Sequence, residues 1–159
     1  MKSLHMEHTQ VAATKTVSEI QQVLAASGLV RSVNIRYLGS RIEGVAFSIE
    51  IAGSEVSFLL PARAEPIFRI LNGRRSGFRG GGVAAKDREQ ADRVAWRQIL
   101  RWVQAQLAII ETGMVSASEA FLGYALVAPG ESLHERFIQY TEHRVALPAP
   151  EYSAGREGE

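Results

Sequence analysis

The chain has 159 residues, of which 46% are hydrophobic and 22% are charged, as is usual for a single globular domain. It contains no cysteine, which excludes disulfides, zinc–thiolate sites and cysteine nucleophiles. No apolar run approaches the roughly 18 residues of a membrane span, and the N-terminus lacks the apolar core of a secretory signal. We therefore expect a cytoplasmic protein that does not enter a membrane.

The formal net charge is only +1, but the basic residues are concentrated in the middle of the chain. Residues 66–104 carry nine lysines and arginines against three acidic residues, a net charge of +6, so the rest of the chain carries −5. A basic middle between acidic ends says more about binding partners than the pI does.

The first predicted elements are an N-terminal tail and a helix. Residues 1–14 are polar and show no periodicity, so we expect a disordered tail. The sequence "TVSE" at 16–19 predicts a capping box, in which each of the two outer side chains accepts a hydrogen bond from the backbone of the other. The apolar residues that follow share one helical face, and Gly28 predicts the end of the helix.

Three strands are predicted next, over residues 30–61. Apolar and polar residues alternate there, which is the period of a strand with one buried face. Turns are predicted at Gly39-Ser40 and Ala52-Gly53, and Pro61 ends the third strand. The pattern predicts an antiparallel meander with one apolar face.

A short helix, a loop and a long helix follow. The sequence "EPIFRILN" at 65–72 predicts the short helix, with its proline in the first turn. Residues 73–86 are rich in glycine and arginine and predict a flexible loop. Asp87 as N-cap and Gly113 as C-cap then delimit a helix of about 26 residues.

The last predicted elements are short. The sequence "SASE" at 116–119 predicts a second capping box and a short helix. A brief strand, a turn at Pro129-Gly130 and one or two helical turns through Phe137 and Tyr140 follow. Residues 148–159 are dominated by Pro, Gly and Glu, and we expect them to form a disordered tail.

These elements predict one α+β domain over residues 15–147, in the order α-β-β-β-(short α)-α-α. A sheet with one apolar face and a long helix with a broad apolar arc predict a two-layer sandwich, in which the three-stranded antiparallel meander packs against the long helix. The expected core consists of Val33, Ile35, Phe47, Ile49, Phe58, Trp96, Ile99, Val103 and Leu107.

The stretch "NGRRSGFRGGGVAAKDREQ" at 72–90 is the most distinctive part of the sequence. Its spacing does not support a phosphate-binding loop, because Lys86 is followed by Asp87 rather than by serine or threonine. Two interpretations stay open. The stretch is either a flexible basic linker or an arm that lies along nucleic acid, with arginines on the phosphates and Phe78 stacked on a base.

Arg93, Arg97 and Arg101 recur every fourth residue and form a ridge along the long helix. Glu89 precedes Arg93 by four residues and predicts a stabilising pair, whereas no acidic residue stands four positions before Arg97 or Arg101. The ridge is interpreted either as a solvated helix face or as part of an anion-binding surface.

The sequence shows no constellation typical of an enzyme or a metal site. The histidines at positions 5, 8, 134 and 143 do not have the spacing of metal ligands. A nucleophile elbow, an H-E-x-x-H helix and a carboxylate pair in an apolar setting are all missing from the sequence. We therefore expect no enzymatic activity, no cofactor and no metal.

Four short motifs occur in order between residues 91 and 126. They are Trp96-Arg97, Gln104-Ala105-Gln106-Leu107, Glu111-Thr112-Gly113 and Glu119-Ala120-Phe121-Leu122. In this order they resemble an uncharacterised family of small proteins encoded in prophages and other mobile elements of bacteria. The chain departs from that pattern at Pro129-Gly130, where the related proteins carry a turn of the Asp-Gly kind, and in a longer Gly-Arg insertion. The resemblance implies a phage-type context.

Two functions are consistent with these observations. The first is a non-enzymatic nucleic-acid-binding accessory protein of a phage or mobile element, with DNA and RNA, single- or double-stranded, left open. Its expected contact residues are Arg74, Arg75, Phe78, Arg79, Lys86, Arg93, Arg97 and Arg101. The alternative is a protein–protein interaction module, an adaptor or an inhibitor of a host factor, that binds through Trp102 and the C-terminal half.

Overall fold

The computed structural model describes residues 3–74 and 81–142, with residues 81–84 described by their backbone only. These ranges contain five α-helices and two antiparallel sheets. The elements are α1 (Ala13–Ala26), β1 (Val30–Leu38), β2 (Arg41–Ile51), β3 (Ser54–Pro61), α2 (Glu65–Arg74), α3 (Gly81–Glu111), α4 (Ala117–Phe121), β4 (Leu126–Ala128), β5 (Glu131–Ser132) and α5 (Leu133–Glu142). The predicted α+β class and the antiparallel three-stranded sheet are confirmed.

The large sheet has the strand order β1-β2-β3, joined by the two turns that the sequence predicts. In the first turn Gly39 has a φ of 63°. In the second, Ala52 and Gly53 have φ values of 51° and 81°, and positive φ at both central residues is the mark of a type I′ hairpin turn. These turns fix the register that places Phe47 opposite both Val33 and Phe58, so that the apolar side chains share one face.

One hydrophobic cluster joins α1, the apolar face of the large sheet, α3 and α4. Its buried members are Val17, Ile20, Leu24, Val45, Phe47, Ile49, Phe58, Leu60, Trp96, Leu100, Val103, Phe121 and Ala125. Five of the nine predicted core residues are among them, and the other four are partly buried against the same cluster. The predicted core is therefore confirmed as a single unit.

The predicted capping box at the start of α1 is wrong. The helix begins at Ala13, so Thr16 lies inside it, and its hydroxyl donates a hydrogen bond to the carbonyl of Ala12 over 3.3 Å. Thr16 is buried, and a threonine inside a helix commonly bonds back to the carbonyl four residues earlier. The predicted end of the helix is confirmed by Gly28, whose φ is 71°.

The long helix α3 is longer than its predicted cap allows. It begins at Gly81, so residues 81–86 of the predicted loop are helical and Asp87 is a buried residue inside the helix rather than its N-cap. The alanines before Asp87 are strong helix formers and extend the helix toward its N-terminus. Residues 75–80 of the predicted loop, and the predicted tail at 148–159, lie outside the described residues.

The C-terminus of α3 follows its prediction. Gly113 has a φ of 75°, its N–H donates to the carbonyl of Ile110, and the N–H of Met114 donates to the carbonyl of Ile109. These two hydrogen bonds form a Schellman motif, which satisfies carbonyls that the helix leaves without an internal partner.

Helix α2 packs on the N-terminal half of α3 through a second, smaller cluster. Ile67 and Leu71 of α2 meet Ala91, Val94 and Ala95 of α3. The two alanines let the helices approach closely, because they place little side-chain volume between the backbones. This contact places Glu65, at the start of α2, within 3.2 Å of the Arg88 guanidinium on α3.

The C-terminal region contacts the ring of Trp102 through Phe121 and Tyr124, and each of its two helices begins with a capping box. The capping box of α4 is confirmed, with the Ser116 side chain accepting from the Glu119 N–H and the Glu119 side chain accepting from the Ser116 N–H. A second box, not predicted from the sequence, joins Ser132 and Glu135 at the start of α5. The chain between the two boxes forms a short 3-10 turn and the β4–β5 hairpin.

Residues 3–12 lie along α3, although the sequence predicts a disordered tail there. The side-chain amide of Gln90 donates to the carbonyls of Glu7 and Thr9 over 2.8 and 3.0 Å, and that of Gln98 donates to the carbonyl of His5 over 2.9 Å. The contacts use backbone carbonyls of an irregular segment, which produce no periodic sequence pattern.

None of the helices in the described ranges is long and apolar enough to span a membrane.

We predict opposite effects from alanine at two glycines. A Cβ added at Gly44 lies 2.8 Å from the Leu60 backbone oxygen, so Gly44→Ala is expected to lower the free energy of unfolding by about 1–3 kcal/mol. Gly73 in α2 has no such neighbour within 4 Å, and Gly73→Ala is expected to raise it by up to about 1 kcal/mol. Chemical denaturation followed by circular dichroism measures both, and equal effects at the two positions would contradict the close approach at Gly44.

Candidate nucleic-acid interface

The structure describes five of the eight predicted contact residues. Arg74 ends α2, and Lys86, Arg93, Arg97 and Arg101 lie along α3. The other three predicted contact residues, at positions 75, 78 and 79, lie outside the described residues.

Three of these arginines are engaged by carboxylates. The Arg74 guanidinium contacts Glu7 at 2.7 Å, and the Arg97 guanidinium contacts Glu19 at 2.5 Å. Arg93 forms the predicted pair with Glu89, four residues before it.

The partner of Arg97 comes from a different helix, which is why sequence spacing misses it. Glu19 lies on α1, 78 residues away along the chain, and reaches Arg97 because α1 and α3 pack together. The Arg97 side chain is only 17% exposed. Of the ridge, Arg101 is the exposed member, and it donates to the side-chain oxygen of Gln104 over 3.3 Å.

Glu7 is held in its charged form by three donors. Hydrogen bonds from Arg74, from the Leu4 N–H and from the Ser3 hydroxyl lower the pKa of Glu7 from its ordinary value of 4.5 to about 2. The carboxylate therefore stays charged beside Arg74 at neutral pH, which offsets the positive charge of Arg74 at this place.

A different basic surface is assembled where the first turn of the sheet meets α2 and α3. A cleft of about 410 Å³ is lined by four arginines, which we call the arginine cleft: Arg41, Arg63, Arg69 and Arg88. They come from the start of β2, the β3–α2 connection, α2 and α3. These four arginines are spread over 48 positions of the chain, so the sequence pattern does not group them.

Two carboxylates partly balance the arginine cleft. Glu65 contacts Arg69 at 3.4 Å and Arg88 at 3.2 Å, and Asp92 contacts Arg41 at 3.4 Å. Glu135 also interacts electrostatically with Arg63, but it does not line the cleft. Four guanidinium groups thus face two contacting carboxylates and this more distant one, and a net positive charge is left. Ion pairs as exposed as these contribute little to stability, so their arginines can exchange a carboxylate for another anion.

Arg63 and Arg88 have different environments within the arginine cleft. Arg63 is exposed and makes no hydrogen bond or close ion pair with the described residues, and its charge interacts with Glu135 at longer range. The Arg88 guanidinium lies 4.1 Å from the centre of the Phe68 ring, a cation–π contact that orients it while nearly half of the side chain stays exposed. The arginine cleft therefore combines an oriented guanidinium with one that can adapt.

We predict that Glu7 contributes to the acid sensitivity of the fold. Because its pKa is lower in the folded protein than in the unfolded chain, its stabilising effect is present above about pH 4.5 and is lost as the pH falls toward 2. Glu7→Gln should therefore lose less stability than the parent between about pH 5 and pH 2.5. Urea denaturation at both pH values measures this, and parallel losses in the two proteins would contradict the contact with Arg74.

Comparisons of the chain with protein-family models, with curated proteins and with solved structures found no match. The described residues contain no group of three histidine, aspartate or glutamate side chains placed to hold a metal ion. What the protein binds is therefore inferred from the chemistry of its own surfaces.

Proposed function

We propose that this protein binds nucleic acid without catalysing a reaction, and that phosphates lie in the arginine cleft. The observation that carries the proposal is the convergence of four guanidinium groups, from four segments of the chain, on one surface cleft with a net positive charge. The resemblance of residues 91–126 to mobile-element proteins supports a role as an accessory protein of a phage or similar element.

Arginine chemistry fits phosphate as the ligand. A guanidinium carries five N–H donors in a planar fork that matches the oxygens of a phosphate, and it is always charged. Each of Arg41, Arg69 and Arg88 makes one or two contacts with the described residues, so most of its donors are available to a ligand. Several phosphates bound in this way give an affinity that falls steeply with salt.

The contact residues predicted from the sequence have a smaller part in this proposal than the sequence suggests. Arg74 and Arg97 are mostly buried and contact carboxylates from distant parts of the chain, so we assign them to holding residues 3–12 and α1 against the rest of the protein. Lys86 and Arg101 are exposed but do not line the arginine cleft, so any phosphate contacts they add lie outside it. The residues at 75, 78 and 79 lie outside the described residues and stay in the proposal as contacts predicted from the sequence.

We predict that removing two cleft arginines flattens the salt dependence of binding. Arg63→Ala/Arg69→Ala should reduce the slope of log affinity against log salt by roughly 1.4 for a single strand or 1.8 for a duplex. Fluorescence anisotropy of labelled DNA and RNA oligonucleotides at several salt concentrations measures the slope.

The matched control for this experiment is Arg31→Ala/Arg36→Ala. It removes the same charge from two exposed arginines of β1 that contact Glu50 and Glu43 and do not line the arginine cleft. The proposal requires the control to keep the slope of the parent. Equal slopes for both double variants, or no binding by the parent at low salt, would show that the arginine cleft is not a nucleic-acid site.

A second candidate function, binding to another protein, is favoured by the surface of α5. This helix has no buried residue, and Phe137, Ile138 and Tyr140 are all exposed. Exposed large apolar side chains that lie close together are typical of protein interfaces. Retention of a host protein by the parent but not by Phe137→Ser/Tyr140→Ser, with unchanged nucleic-acid binding in both, would assign this second function to α5.

A further inference from the structure

A second cavity, of about 280 Å³, adjoins the arginine cleft and shares Arg63 with it. We call it the aromatic pocket, and its wall includes Pro61, Gln98, Ile99, Trp102 and Tyr124. Its volume lies near the lower end of ligand pockets, which span roughly 300–1,000 Å³. A pocket of this size suits one planar ring system.

The aromatic pocket is held in shape by ring contacts that reach into the core. The ring of Trp102 meets Phe121 edge-on at a centroid distance of 5.6 Å and meets Tyr124 edge-on at 5.3 Å. Phe121 is fully buried. Because the rings are fixed before a ligand arrives, a second ring can pack on them with little loss of side-chain entropy.

Polar groups at the wall of this pocket are available for a ligand. The Trp102 indole N–H and the Tyr124 hydroxyl make no hydrogen bond with the described residues. The Gln98 amide nitrogen donates to the His5 carbonyl over 2.9 Å, while its amide oxygen accepts no hydrogen bond from the described residues. The wall thus offers two donors and an acceptor around an apolar surface, a composition that suits a nucleobase, which has an apolar face and a polar edge.

We infer that the aromatic pocket takes one unstacked base of a single strand whose phosphates lie in the arginine cleft. This inference rests on the proposed function and makes it specific, since it selects single-stranded over double-stranded nucleic acid. Arg63 connects the base site with the phosphate site, because it lines both cavities. Its positive charge complements a phosphate next to the bound base. Bases of an intact duplex are stacked and paired, and cannot enter without being flipped out.

The test compares three ligands of equal length: a single strand of thymidines, the corresponding abasic phosphodiester strand and a duplex. We expect the strand with bases to bind roughly 5- to 150-fold more tightly than the abasic strand, which is the range for one stacked base. We also expect the base-containing strand to change the tryptophan fluorescence of the protein. We assign this change to Trp102, because the other tryptophan, Trp96, is 98% shielded from solvent.

Two variants complete the experiment. Tyr124→Leu keeps apolar volume but removes one ring of the aromatic pocket, and should abolish most of the preference for bases over the abasic strand. Tyr37→Leu changes an exposed tyrosine of β1 that does not line the pocket, and should keep the preference. If Tyr124→Leu does not fold, the ligand comparison and the Trp102 signal of the parent decide the question.

The possible outcomes separate this inference from the proposed function. Equal, salt-sensitive binding of all three ligands would overturn the base pocket and leave the arginine cleft as a phosphate site. Tighter binding of the duplex than of the single strand would overturn the selectivity for single strands. Absence of binding at low salt would overturn the proposed function and this inference together.

Discussion

The stack of Phe47 on Phe58 connects the large sheet with α4 and, through Phe121 and Trp102, with α3. The two rings lie 5.2 Å apart on neighbouring strands, and Phe121 meets both of them edge-on from α4. Phe121 in turn contacts Trp102, which contacts Tyr124. A continuous set of rings therefore runs from the centre of the core to the aromatic pocket, so the shape of this pocket depends on the register of the sheet.

Ion pairs divide the arginines into two groups with different consequences. Arg74 and Arg97 are largely buried and contact glutamates that are distant in the sequence, so their charge holds segments of the protein together. Removing one partner from such a pair leaves a charge with poor solvation, which is costly. The arginine cleft is exposed and has more guanidinium groups than carboxylates, which leaves its charge available to a ligand. The number of arginines in a segment is therefore a poor guide to where positive charge is left without a carboxylate partner.

Much of the fold could be predicted because the relevant signals are local. Alternation along β2 and β3, the tight turn at Ala52-Gly53 and the glycine at the end of α3 each depend on a few neighbouring residues. The predictions of helix caps failed where the helix begins before the residue that has the sequence of a cap. Thr16 has the sequence of a cap but is buried inside α1, and Asp87 has the sequence of a cap but lies within α3.

The sequence by itself determined the class of the fold, the core and the excess of positive charge between residues 66 and 104. It could not determine which arginines are neutralised, because the partner of Arg97 is 78 residues away and becomes a neighbour only when α1 packs on α3. The arginine cleft was decided by tertiary structure for the same reason. Its four side chains come from separate segments, and electrostatic attraction depends on their distance in space rather than along the chain.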